Sequence, residues 1–165
     1  LDNLNKVEKV EINTHEITAQ VVSELEPIIA MNNKKVVCYF NTDFVYADPS
    51  SLRQILRNLV VNAVRYSGQE IAAESIKVTW EKTKDNLMTQ LVVQDYGPGI
   101  SKEHQGRIFE RFYRVDKGRN RTQGGSGLGL ALVKHHTLIH GGQISLESEI
   151  GQGCKFVCQF PERKI

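Results

Sequence analysis

Four segments of this chain have the residue types and spacing to do chemistry. The first is a stripe of amides. After Pro49 the apolar residues Leu52, Ile55, Leu56, Leu59, Ala63 and Val64 recur at helical spacing. On a helix of that period Asn58, Asn62 and Arg65 fall within about 60° of one another. A solvated face would account for three polar residues, but asparagine is a poor helix former and two in mid-helix cost stability unless they have a task. An amide carbonyl is a hard oxygen ligand of the kind Mg²⁺ accepts while keeping several waters. Arg65 on the same stripe can meet a phosphate, and Tyr66 offers a ring to a base.

The second segment is Asp95-Tyr96-Gly97-Pro98-Gly99-Ile100, at the end of a strand-like run. A carboxylate there can accept a hydrogen bond from the exocyclic amine that adenine carries and guanine lacks, and the glycines let backbone approach a flat ring. Alone, the segment reads more readily as an ordinary glycine-rich turn with a capping aspartate. The third is Gly124-Gly125-Ser126-Gly127-Leu128-Gly129-Leu130, opening a helix. Glycines before a helix N-terminus expose backbone N–H groups and the positive end of the dipole, which suits phosphate. No Gly-Lys-Ser/Thr follows, so it is not a Walker loop, and Leu132 or Leu130 stands where a dinucleotide fingerprint needs its third glycine. The kinase triplets His-Arg-Asp and Asp-Phe-Gly are also missing. The fourth is Ile108-Phe109-Glu110-Arg111-Phe112-Tyr113-Arg114, whose Ile108, Phe109 and Phe112 read as a core anchor. Arg114 leads into a polar stretch with Lys117, Arg119 and Arg121, cations that can close over phosphates or keep a loop soluble.

The elements that must position these groups follow from pattern. Val21, Val22, Leu25, Ile28 and Ile29 mark a helix with Thr14 as its expected N-cap, and Pro27 interrupts its pattern. Val36–Phe40 is a short strand. Asp48 caps the helix that Pro49 opens. Ile76, Val78 and Trp80, then Leu91 and Val93, read as antiparallel neighbours joined at Lys84-Asp85-Asn86. Ser101 caps a short helix through Ile108 and Phe109, Val115–Gly125 is a loop, and Leu128 to about His140 is a helix stopped by Gly141-Gly142. A hairpin around Gly151-Gln152-Gly153 closes the chain. The mixture predicts an α+β two-layer sandwich, a mixed, mostly antiparallel sheet with helices on one face.

Composition sets the outer limits. At 165 residues, 40% hydrophobic and 24% charged, the chain has the size and make-up of one ordinary globular domain. A net charge of +2 is too small to imply nucleic acid or an anionic membrane as main partner. No apolar run approaches the ~20 residues that span a bilayer, and no signal peptide is visible. Cys154 and Cys158 read as small buried hydrophobes on one strand face, and three reduced thiols suit the cytoplasm.

Taken together and in order, these segments resemble a known family. Asn58…Asn62-Ala63-Val64-Arg65-Tyr66-Ser67, Asp95-x-Gly97-x-Gly99-Ile100, Ile108-Phe109-x-x-Phe112 and Gly125-x-Gly127-Leu128-Gly129-Leu130 are similar to the N, G1, F and G2 boxes of sensor histidine kinase catalytic domains, over roughly Lys35 to Pro161. The resemblance implies the Bergerat-type ATP-binding fold shared with gyrase-type ATPases and Hsp90 chaperones, with ATP and Mg²⁺ as cofactors. It makes Asn62 the Mg²⁺ ligand, with Asn58 beside it toward the phosphates and Arg65 on phosphate. Tyr66 packs on adenine and Asp95 recognises its amine, while Gly97, Gly99 and Ile100 shape the base pocket. Arg114 begins a lid running to Gln123, and Gly125, Ser126, Gly127, Leu128, Gly129 and Leu130 hold the triphosphate. Asn58, Asn62 and Arg114 are the catalytic set.

The implied reaction moves the γ-phosphoryl of ATP to a histidine of a dimerisation domain in the same homodimeric kinase, which then serves a response regulator. His15-Glu16-Ile17-Thr18 is superficially similar to the phosphoacceptor box, but Asn58 follows only forty-three residues later, leaving no room for a second bundle helix. Residues 1–12 are therefore expected to be the end of that bundle helix or a linker, and 13–165 the catalytic domain. The other histidines, His104, His135, His136 and His140, receive no chemistry. Two alternatives stay open: a nucleotide-binding regulatory module, or a serine kinase of the same fold acting on an anti-sigma antagonist. A cytoplasmic setting is expected, without direct membrane contact by this segment.

Overall fold

A hydrophobic sheet face needs a cover, and this chain supplies it with helices drawn from three separate parts of the sequence. The structure, a computed structural model, describes residues 6–68, 75–115 and 127–164. In chain order the elements are β1 (Val10–Asn13), α1 (Thr14–Met31), β2 (Val36–Phe40), β3 (Phe44–Ala47), α2 (Pro49–Tyr66), β4 (Ile76–Lys82), β5 (Met88–Asp95), α3 (Lys102–Gln105), α4 (Gly129–Ile139), β6 (Gln143–Ser148) and β7 (Cys154–Pro161). Five strands form a mixed sheet in the order β2-β4-β5-β7-β6, with only the β2–β4 pair parallel. The α+β sandwich expected from the sequence is the fold observed.

Alternation decides which face is covered. Ile76, Val78 and Trp80 of β4, Leu91 and Val93 of β5, and Phe156, Cys158 and Phe160 of β7 all join one core with Ile17, Val21, Leu25 and Ile29 of α1, the apolar stripe of α2, and Val133 of α4. Trp80 fixes the layer spacing by donating its indole N–H to Thr18 Oγ1 across 2.9 Å, inside the core. Cys154 and Cys158 are buried as expected, and burial pushes their thiols up to about 11 and about 12, so neither is a nucleophile at neutral pH.

The boundaries of α2 are those its caps dictate. The Asp48 carboxylate accepts from Ser51 N at 3.0 Å and Pro49 occupies the first turn. Elsewhere local chemistry departs from expectation. The N-cap of α1 is Asn13, whose side chain accepts from Glu16 N, while Thr14 is buried and its hydroxyl donates to Thr42 O. Helix α1 runs unbroken through Pro27, which lies on its exposed face together with Ser23, whose carbonyl the proline leaves without an N–H partner. The short helix after Ser101 stops at Gln105, and residues 106–109 continue as turns.

The N-terminal reading also changes. Lys6–Lys9 have no regular secondary structure, so the described part of Leu1–Glu8 is not a helix end, and β1 pairs antiparallel with β3, Val10 opposite Ala47 and Asn13 opposite Phe44. The sequence reading had neither strand.

Candidate functional site

Helix α2 carries the amide stripe to the glycine segment. Its apolar face, from Leu52 to Val64, is almost wholly buried, which turns Asn58, Asn62 and Arg65 toward a half-buried flank. Helix α4 begins against that flank. A β-carbon on Gly129 would sit 3.3 Å from Asn58 Oδ1, so the backbone of the glycine segment lies directly on the first amide. The N-terminal turn of α4, whose N–H groups lack partners within the helix, is thereby set beside the asparagines.

Gly127 joins this point to the segment that ends at Arg114. Gly127 has φ of +75° and its O accepts from Phe112 N at 2.9 Å; a side chain there would collide with the Phe112 backbone at 2.7 Å. Phe112 itself contradicts the core-anchor reading. Ile108 is buried and Phe109 packs edge-on against Phe156, but Phe112 is 71% exposed with φ of +65°, because its backbone is committed to Gly127. Tyr113 is bonded to His104 and lies under Arg107, 4.6 Å from its ring centroid, so the stretch before the half-buried Arg114 is braced on α3.

The Asp95 end of the site is drier. Asp95 is 3% exposed, and its Oδ1 accepts from Gly97 N at 3.0 Å and from Cys154 N at 3.3 Å. Burial raises its carboxyl to about 6, with the two N–H groups and Lys34 pulling the other way. Both of these bonds fall on Oδ1. Gly97 is required by close approach: a β-carbon would lie 2.4 Å from Tyr66 O and 2.8 Å from Ser67 Cα. The Asp95–Ile100 turn is therefore wedged under the C-terminal end of α2, where Tyr66 is 43% exposed. Gly99, with φ of +78°, abuts Glu149 O, and Ile100 N donates to Ser148 Oγ.

Two groups at this seam were given no role by the sequence reading. Lys34 is 7% exposed and donates from Nζ to Gly68 O at 2.5 Å, tying the end of α1 to the end of α2. Ser67 is buried, and its Oγ is the one buried side-chain polar atom without a hydrogen-bond partner among the described residues. Lys34 stands outside any periodic pattern and Ser67 only closes the Asn62–Ser67 segment, so burial is what marks both.

Thus the structure brings together Asn58 with Gly129, and Asp95 with Gly97 and the Tyr66–Ser67 end of α2. Leu128 and Leu130 flank Gly129, half-buried. Gly125, Ser126 and most of the expected lid lie outside the described residues. An open groove of about 530 Å³ between α1 and β2, lined by His15, Thr18, Val22, Glu26, Cys38 and Phe40, is remote from all of these residues. His15 there stacks on Phe40 and meets Asp43 at 3.0 Å, which leaves it a structural role. His140, at the C-terminal end of α4, is 1% exposed.

A mixed sheet with helices on one face, an amide stripe against a helix N-terminus and a buried carboxylate at a strand end define a nucleotide-binding domain. Residues 47–164 match the family described as histidine kinase-, DNA gyrase B-, and HSP90-like ATPase, and the chain belongs to it. It is 42% identical over 118 residues, 72% of its length, to the sensor-like histidine kinase SenX3 of Mycolicibacterium smegmatis. It is 33% identical to the sensor protein SrrB of Staphylococcus aureus, over 96% of its length. The chain spans 29% and 30% of those relatives. Among solved structures it resembles the catalytic domain of the histidine kinase ThkA, with a TM-score of 0.78, 29% identity, and 94% of this chain and 96% of that one covered. Full-length ShkA in complex with AMPPNP gives a TM-score of 0.76 at 26% identity, over 94% of this chain and 31% of that one. The chain is thus an ATP-binding domain of the sensor histidine kinase type.

Proposed function

We propose that this chain holds Mg²⁺-ATP for transfer of the γ-phosphoryl to a histidine of a dimerisation domain in the same homodimeric kinase, which then supplies a response regulator. The observation that carries the reading is the seating of Gly129 on the Asn58 amide, which places a helix N-terminus and an oxygen-donor stripe at one spot. The donor chemistry fits a hard cation: Asn62, one turn beyond Asn58, would be the Mg²⁺ ligand, with waters completing the shell. Bound there, the ion would neutralise charge on the phosphate oxygens. Gly127 and Gly129 would direct N–H groups at the triphosphate, with Gly125 and Ser126 extending the same segment, and Leu128 and Leu130 anchoring it.

The chain's own task is positioning. Asp95 accepts the adenine amine, Tyr66 covers the ring, and Gly97, Gly99 and Ile100 shape the wall behind it. Arg65 and Arg114 face the anionic end. Phosphoryl transfer needs little covalent chemistry from the protein beyond alignment and charge compensation, so the attacking imidazole can come from elsewhere. The residues before Val10 would form the connection toward that partner domain, because β1 (Val10–Asn13) pairs with β3 of the catalytic unit and moves the boundary ahead of residue 10.

Radiolabelled ATP, supplied with the dimerisation domain of the same kinase, tests the reading. Acid-labile label on that domain supports it. Acid-stable label would make the chain a serine kinase, and nucleotide binding without transfer would make it a regulatory module.

A further inference from the structure

The Ser67 hydroxyl is buried yet unpaired, so its desolvation on folding is uncompensated. Its place is specific. Ser67 follows Tyr66 at the end of α2, its Cα lies 2.8 Å from where a β-carbon on Gly97 would stand, and Gly97 N is bonded to Asp95 Oδ1. The seam is held rigid, since Lys34 clamps Gly68 O and Gly68 in turn lies against Gly97 Cα. The ordinary local satisfaction of a helix-end serine, a bond back to the preceding turn, is not made.

The missing partner has a definite chemistry. Adenine presents a donor, its amine, beside ring-nitrogen acceptors. An ionised Asp95 only accepts, so it matches the amine and leaves the ring nitrogen without a donor. A serine hydroxyl supplies one. Resting on the nucleotide reading above, we propose that Ser67 is a base-specificity residue: its hydroxyl donates, directly or through one water, to a ring nitrogen of adenine while Asp95 accepts from the amine.

The proposal makes apo stability and affinity move in opposite senses on one substitution. Ser67→Ala removes an orphan hydroxyl, so the melting temperature without nucleotide stays level or rises. Affinity for ATP by isothermal titration falls about fivefold, one neutral hydrogen bond. Ser67→Thr keeps the hydroxyl and retains most of the affinity. The loss in Ser67→Ala disappears with either 1-deaza-ATP or 7-deaza-ATP, whichever lacks the nitrogen addressed, because the bond is then already gone.

Wild-type affinity in Ser67→Ala, or an equal loss for ATP and both deaza analogues, would overturn the assignment of Ser67. Failure of the wild-type chain to bind ATP at all would overturn the nucleotide reading as well, a distinguishable result.

Discussion

Asp95 is ionised at neutral pH at some cost. Its carboxyl titrates near 6 in the folded chain because it is buried, against about 3.9 for a free aspartate. A raised carboxyl favours the protonated form on folding, so Asp95 opposes stability above pH 6 and that opposition is relieved as pH falls from 6 toward 4. Recognition has the reverse dependence, since the ionised form is the better acceptor for an amine. ATP affinity should therefore weaken as pH falls from 7.5 to 5.5, with a midpoint near 6. Asp95→Asn should bind ATP about ten- to a hundredfold more weakly, without that midpoint and without loss of apo stability. Calorimetric titration across the pH range checks both; an unchanged profile in Asp95→Asn would remove Asp95 from the base pocket. At this scale legibility was uneven. Asp95, Gly97 and Gly129 announce themselves by type and spacing. Phe112 misled because a phenylalanine four residues after Ile108 reads as core unless its backbone commitment to Gly127 is known.

Helix α4 is tied to α2 at both of its own ends, and this is what presents the glycine segment. At one end Gly129 meets Asn58. At the other, His140 Nδ1 faces His136 O while its Nε2 accepts from Asp48 N at 3.0 Å. One carbonyl and one N–H on the two ring nitrogens define a neutral imidazole with its proton on Nδ1. His136 adds contacts to Ser51 and Gln54. Burial lowers the His140 pKa, so its contribution to stability is present above the unfolded-state value of about 6.5 and is lost as pH falls from there through the lower folded-state value. His140→Ala should cost about 2–3 kcal/mol, combining lost ring burial with an unpaired Asp48 N–H. Urea denaturation would show it; a loss under 0.5 kcal/mol would mean the tie is incidental. Sequence patterning reached α2, α4 and the β4–β5 and β6–β7 pairs because each has a cap, a turn or clean alternation. It missed β1 and β3, four residues each, since strands that short carry little periodicity and are made by pairing with each other.

At the scale of the whole molecule, one covered sheet face leaves the site along the half-buried flank of α2, with the start of α4 against its middle and the turn after β5 against its C-terminal end. The core is independent of the site's polar groups: Asn58 and Asn62 lie on the half-buried flank of α2, beside its buried stripe. Binding and folding can therefore be separated by mutation, which is the property of a rigid scaffold with a grafted site. Among the described residues no helix is long and apolar enough to cross a membrane.

Titration calorimetry of ATP with and without Mg²⁺, on the wild-type chain and on Asn62→Ala, bears most directly on the amide stripe. The wild-type chain should bind ATP more tightly with Mg²⁺ than without. Asn62→Ala should lose that increment while its melting temperature without nucleotide stays within a few degrees, since the residue lies off the packed face. Identical Mg²⁺ dependence in the two proteins, or no binding by either, would contradict the account.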